Sequence, residues 1–180
     1  MYIDKKNIPY ILKFDFKALR PQLIRPTIEE VRKQNKKDIV GVEIGVYKGL
    51  NSLSILNNLD IKRLYLIDCY KSYDEFIDTD MEKIKDIAIK NLKKHTGKIK
   101  FIFNTSENAC SHIPDDLDFI YIDGNHEYEY VKKDIELYYP KIKQGGIIGG
   151  HDYPREGIVK ALDEFGELYN HKRMDWWIKK

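Results

Sequence analysis

Residues 38–49 read DIVGVEIGVYKG, and the two halves of that stretch obey different rules. Asp38 to Ile44 is dense in β-branched residues and breaks at Gly45, the signature of a short buried strand. Gly45 to Gly49 is a glycine-bounded turn, and Asn51 to Asn58 then offers Leu53, Ile55 and Leu56 for packing on one side of a short helix. Strand, glycine turn and helix in that order open a parallel α/β unit.

The same alternation continues downstream. Arg63 to Asp68 is a second strand that ends on an acid, Ile99 to Phe103 a third, Asp118 to Asp123 a fourth and Gly146 to Gly150 a fifth. Helices are expected between them. Asp74 to about Lys94 carries Ile77, Met81, Ile84, Ala88 and Leu92 on one stripe, Glu107 to His112 is short, and Val131, Ile135, Tyr138 and Ile142 mark another face. Glu127 and Glu129 stand at the positive end of that last helix. Gly157 to Phe165 forms a further helix, and the segment from Asp175 reads as a final strand near the sheet edge. Upstream, residues to about Lys37 read as one or two short helices, with Thr27 and Glu30 in capping-box spacing. The expected fold is α/β: a Rossmann-like, doubly wound, mostly parallel sheet with helices on both faces, its crossovers right-handed. Residues 1–180 are expected to form a single domain, with 1–37 a helical N-terminal cap and 38–180 the α/β core.

Bulk properties exclude several functions. Lys+Arg number 31 against 29 Asp+Glu, a formal charge of +2, which lacks the concentrated basic footprint of a nucleic-acid binder. The lysines between Lys83 and Lys94 read as a solvated helix face. Cys69 and Cys110 are too few for a disulfide framework or zinc cluster and read as reduced structural thiols. No signal-peptide core and no apolar run near the roughly 18 residues of a membrane span are present, so no membrane association and a cytoplasmic location are expected.

Ligands of such sheets sit beyond the carboxyl ends of the strands. The first loop, Gly45-Val-Tyr-Lys-Gly49, is not the dinucleotide fingerprint, because Val46 and Tyr47 stand where a second close-approach glycine is needed. Glu43 at the strand end would repel a phosphate and suits a ligand that carries positive charge. Asp68, nineteen residues beyond Gly49, is placed to accept both ribose hydroxyls, which supports an adenosine ligand without choosing its type. Ser106 can hydrogen-bond an adenine edge or cap the next helix. Strand four ends in Asp123-Gly-Asn125-His126 and strand five in His151-Asp152-Tyr153. Two acids at one rim repel unless a cation or proton lies between them. Oxygen donors suit magnesium or calcium, and a histidine donor tilts the choice toward manganese, iron or zinc. Taken singly, His126 reads as a helix-start residue and His151 as a hydrogen-bonded core histidine.

Val42-Glu-Ile-Gly-Val-Tyr-Lys-Gly49, Phe119-Ile-Tyr-Ile-Asp-Gly-Asn-His-Glu-Tyr128, Val131-Lys-Lys-Asp-Ile135 and Gly145-Gly-Ile-Ile-Gly-Gly-His-Asp-Tyr153 resemble class I methyltransferases, in particular the macrocin O-methyltransferase and cephalosporin hydroxylase-like branch. The resemblance runs from about Asp38 to the terminal Trp176-Trp-Ile-Lys. It implies the class I methyltransferase fold and S-adenosyl-L-methionine as cofactor, held by Glu43, Gly45, Tyr47, Gly49, Asn51, Asp68, Ser106 and Asp123. Asn51 replaces a small hydroxyl residue and can cap the helix. The resemblance further implies a divalent cation, Mg2+ or Mn2+, on Asp123, Asp152 and His151. Histidine and Asn125 stand there in place of acids.

The expected activity is methyl transfer to a small-molecule acceptor, with a hydroxyl as nucleophile. Asp123, His126, His151 and Asp152 are the catalytic candidates, one histidine taking the acceptor's proton. A metal-free version makes His151 the base, oriented by a carboxylate. A homo-oligomer is compatible with the sequence. The alternatives are a non-catalytic adenosine-cofactor-binding module and, with less support from the glycine loop, an NAD-dependent oxidoreductase.

Overall fold

The computed structural model describes residues 24–72 and 77–180. Seven strands form one sheet: β1 (Ile39–Ile44), β2 (Ile61–Ile67), β3 (Ile99–Ile102), β4 (Leu117–Ile122), β5 (Ile142–Gly150), β6 (Asn170–Lys172) and β7 (Asp175–Lys179). Their spatial order is β3-β2-β1-β4-β5-β7-β6. The first five are parallel, whereas β7 runs antiparallel to β5 and β6 antiparallel to β7. The helices are α1 (Pro26–Lys33), α2 (Leu50–Asn58), α3 (Met81–Leu92), α4 (Ser106–Ala109), α5 (Tyr128–Tyr138) and α6 (Glu156–Phe165). The expected doubly wound, mostly parallel α/β sheet is the one observed.

Strand alternation sorts the core into two layers. Leu64, Leu66, Phe119 and Tyr121 pack with Ile28, Val31, Ile55, Ala88 and Leu92, so α1, α2 and α3 cover one face. Val42, Ile44, Ile67, Ile120 and Ile122 pack with Val131, Ile135, Tyr138, Ile158 and Leu162, so α5 and α6 cover the other. Glu43 is paired in register with Leu66 and Tyr121, which puts an acid among the apolar residues of the first layer.

Several local expectations are corrected. Thr27 does not cap α1: the cap position is Arg25, Pro26 is the first helical residue, and the Thr27 hydroxyl donates to the Trp176 carbonyl at 3.0 Å. A proline in the first turn costs no helical hydrogen bond and starts the helix unaided. Asn51 does not cap α2, because Gly49 takes that place at φ 72°, a left-handed conformation natural to glycine. The long helix starts at Met81, with the Asp80 side chain accepting from the Lys83 amide. Ile77 therefore lies off the buried stripe, 74 % exposed, and Asp74 falls outside the described residues. The sequence reading passed over β6, whose residues Asn170, His171 and Lys172 are all exposed. Its pairing moves β7 one place in from the edge. Of the expected N-terminal cap, residues 1–23 lie outside the described part, and α1 is the helix seen in the remainder. Among the described residues, no helix is long and apolar enough to cross a membrane. Cys69 and Cys110 are free thiols.

Candidate active site

The carboxyl ends of β1 to β4 open on a cavity of about 400 Å³, a volume in the range of small-molecule sites. Gly45 and Tyr47 line it from β1, Asp68 and Cys69 from β2, Asn104 to Ser106 from β3, and Asp123 to His126 from β4.

The β1 loop is built by two devices. Gly45 has φ +85°, and a β-carbon there would lie 2.1 Å from the Asp123 carbonyl oxygen. Glycine is required by the protein's own β4 backbone, a reason additional to the ligand approach expected from sequence. Asp68 then gathers the loop: Oδ2 accepts the Val46 and Tyr47 amides at 3.0 and 2.9 Å, and Oδ1 accepts the Tyr70 amide at 2.8 Å. Those bonds hold Tyr47 and Tyr70 in left-handed conformations, at φ 50° and 46°. The Tyr70 hydroxyl ties the two together by donating to the Tyr47 carbonyl at 3.0 Å. A carboxylate has about four acceptor sites, so three amides leave Asp68 capacity for a further donor from the cavity.

Glu43, Gly49 and Asn51 stand behind this loop, off the cavity wall. Glu43 is fully buried; Oε1 accepts from Asn51 Nδ2 at 2.9 Å and Oε2 accepts a short hydrogen bond from the Ser52 hydroxyl. Burial pushes its carboxyl up to about 7, with the Ser52 and Asn51 bonds pulling the other way. It holds the start of α2 against β1.

The rim cluster forms where β4 and β5 end. Asp123 Oδ1 lies 3.7 Å from His151 Nδ1, and that same nitrogen is 3.2 Å from Asp152 Oδ2. His126 Nδ1 approaches the same Asp152 oxygen at 3.3 Å, so two imidazoles share one carboxylate. Burial raises the pKa of Asp152, but both histidines and Arg155 outweigh it, and the net shift is downward. Asp152 occupies a left-handed conformation, φ 64°, which turns its side chain back toward His126 and His151. Asp123, His151 and Asp152, the three residues expected to hold a cation, each offer one donor atom within 4.8 Å of the others.

Three participants escaped the sequence reading. Arg25 Nη1 donates to both Asp123 Oδ2 and the Tyr121 hydroxyl, each at 2.8 Å. Tyr121 in turn donates to Asp175 Oδ1 at 3.1 Å, and Asp175 Oδ2 accepts the Thr27 amide at 3.1 Å. Burial opposes the charge on Arg25, yet Tyr121, Asp123 and Asp175 together raise its pKa further above the ordinary value. Burial likewise raises Asp123, against the pull of Arg25 and His151. Part of the positive charge that the two rim acids demand is therefore supplied by the protein. Tyr121 in an aliphatic strand and Asp175 at the start of an apolar one were legible as buried polar groups in want of partners. Arg25 had no local signal. Ser106 is not a cap either: Thr105 caps α4, its hydroxyl accepting from the Asn108 amide at 3.4 Å.

The chain matches the model of a family described as a methyltransferase domain over residues 42–153. An uncharacterised protein of Acanthamoeba polyphaga mimivirus is 31 % identical over 136 residues, a match covering 66 % of this chain and 53 % of the viral protein. This chain thus spans about half the length of that relative. Among solved structures, an O-methyltransferase from Bacillus cereus in complex with S-adenosylhomocysteine superposes with a TM-score of 0.62 at 14 % identity, covering 91 % of this chain and 86 % of that one. A precorrin-6y C5,15-methyltransferase from Geobacter metallireducens reaches 0.64 at 16 % identity, covering 99 % and 94 %. At these identities the superpositions speak for the fold alone.

Proposed function

This chain belongs to the methyltransferase-domain family, and we propose that it transfers the methyl group of S-adenosylmethionine to a hydroxyl of a small-molecule acceptor. The observation that carries the reading is the junction of two features: a cavity walled by Gly45, Asp68 and Asp123, and the cluster of Asp123, His151 and Asp152 that meets it through Asp123. The motifs at the ends of β4 and β5 support the finer placement near the macrocin O-methyltransferase and cephalosporin hydroxylase-like branch.

When bound, S-adenosylmethionine supplies an electrophilic methyl group on a sulfonium. The protein's work is then alignment, desolvation and proton removal. Asp68 receives a ribose hydroxyl with its remaining acceptor capacity, and the ordered Gly45–Tyr47 backbone borders the ligand's polar tail. Asp68 and Asp123 put two carboxyl groups on the cavity wall, which disfavours a diphosphate at the same place. On the acceptor side, Asp152 fixes the orientation of both imidazoles through one oxygen. In the metal-free version His151 takes the acceptor hydroxyl's proton, and His126 does so when His151 serves as a ligand.

The donors fit a divalent cation: Asp123 Oδ1, His151 Nδ1 and Asp152 Oδ2 converge, while Arg25 engages the other Asp123 oxygen. Such an ion would acidify and orient the acceptor hydroxyl. Two carboxylates and an imidazole suit manganese better than magnesium.

The test is calorimetric titration with S-adenosylmethionine and NAD, followed by transfer of labelled methyl to a panel of sugars and phenols with chelator and with Mg2+ or Mn2+ restored. Binding of S-adenosylmethionine together with labelled product supports the proposal. Uptake of NAD in its place refutes it. Tight cofactor binding that Asp152→Ala leaves intact, with no product from any acceptor, converts the chain into a non-catalytic binding module. Full turnover in chelator removes the cation from the scheme.

A further inference from the structure

Asp134 is an acid on the buried face of α5, between Val131, Ile135 and Tyr138 of the core. Only 4 % of its surface is exposed, and it lines the cavity beside Asn104, Thr105 and Ser106. The Ser106 side chain is hydrogen-bonded to it, and one turn further on the Tyr138 hydroxyl donates to the Ser106 carbonyl at 2.7 Å. The α5 helix and the start of α4 are thus locked together around this carboxyl. A buried acid with one hydroxyl partner is a costly way to fill a helix face that apolar residues fill elsewhere. Its place in the cavity supplies a reason.

The proposed function and the strand order together set out the cavity's regions. Asp68 on β2 marks the ribose and Asp123 on β4 the reacting centre, which leaves the β3 side, where Ser106 and Asp134 meet, for the base. We propose that Asp134 reads the 6-amino group of the cofactor's adenine, a role that rests on the chain's use of S-adenosylmethionine. Its carboxylate accepts the amino hydrogen, and Ser106 holds it in place. A 6-oxo purine presents an oxygen at the same point, so two acceptors would face each other without a proton between them. Burial pushes the Asp134 carboxyl up to about 7 against the Ser106 bond, so at pH 8 it is ionised and both oxygens accept.

The experiment compares S-adenosylhomocysteine with S-inosylhomocysteine, its 6-oxo counterpart, by calorimetric titration at pH 8. The wild-type chain is expected to prefer the 6-amino ligand by about tenfold or more, the size of effect produced by a buried polar group left unpaired. Asp134→Ala should shrink that preference to within about threefold. Asp134→Asn, which can donate as well as accept and preserves shape, should move it toward the 6-oxo ligand. Equal binding of the two ligands by the wild-type chain overturns the proposal without recourse to any variant. So does an unchanged preference in a variant whose circular dichroism is native. Asp68→Ala serves as the control that weakens both ligands alike. A wild-type chain that takes up neither ligand refutes the cofactor reading itself, a result distinct from loss of base discrimination.

Discussion

Replacing Glu43 by Gln tests the account of the buried acid behind the glycine loop. The folded protein shifts this carboxyl from 4.5 to about 7 because it is stripped of water among apolar neighbours. A folded-state pKa above the unfolded value means that the native state holds the proton more tightly. Stability is then greatest at low pH and falls as pH rises from the unfolded pKa through the folded one. The shift corresponds to roughly 3 kcal/mol lost by the time the group is fully ionised. Gln has the shape of the protonated acid: its oxygen can accept from Asn51, and its amide can donate to the Ser52 oxygen. The variant should therefore escape the penalty. In urea denaturation its advantage over wild type should be under about 1 kcal/mol at pH 5 and widen by roughly 2–3 kcal/mol at pH 8. A difference that stays constant across that range would refute a titrating Glu43. A variant less stable than wild type at pH 8 would show that the charge is held by a partner strong enough to outweigh burial.

Three further outcomes follow from the site. Gly45→Ala should cost roughly 3–5 kcal/mol in thermal or urea unfolding, because the added carbon meets the Asp123 carbonyl at 2.1 Å and φ is +85°; a loss under about 1 kcal/mol would contradict the close approach. Asp68→Ala removes the acceptor of three backbone amides, so S-adenosylhomocysteine affinity should fall by about tenfold or more while stability drops roughly 1–3 kcal/mol; unchanged affinity by calorimetry would exclude Asp68 from the site. Arg25→Met strands Asp123, Tyr121 and Asp175 without their cation, at a cost of roughly 3–5 kcal/mol. The same variant should bind Mn2+ more tightly, by titration, than wild type, and no change would mean that Arg25 does not oppose an ion at the rim.

Legibility in the sequence followed the range of the interaction. β1, β2, β4 and β5 are rich in apolar residues and stop at glycine or acid, and each ends within a residue or two of its expected carboxyl end, the end on the cavity's side of the sheet. β6 carries no apolar residue, and it exists because β7 offers an edge to pair with. The site divides in the same way. Asp68 and Asp123 were placed by ending strands, and His151 and Asp152 by following one. Thr27 and Asn51 had cap-like neighbours in sequence, but distant partners, the Trp176 carbonyl and Glu43, took their side chains.

From sequence alone came the alternation of strands and helices, and the gathering of acids and histidines at the carboxyl ends of the strands, where the cavity opens. Those features are written in periodicity and in where apolar runs stop, which depend on near neighbours along the chain. Only folding decided that Gly45 must admit the Asp123 carbonyl, that Arg25 answers the charge of Asp123, and that Asp134 turns into the cavity beside Ser106. Each of these joins residues about thirty to a hundred positions apart. Nothing in a local pattern encodes such a pairing, because its energy arises only when the sheet brings the two sides together and water leaves between them.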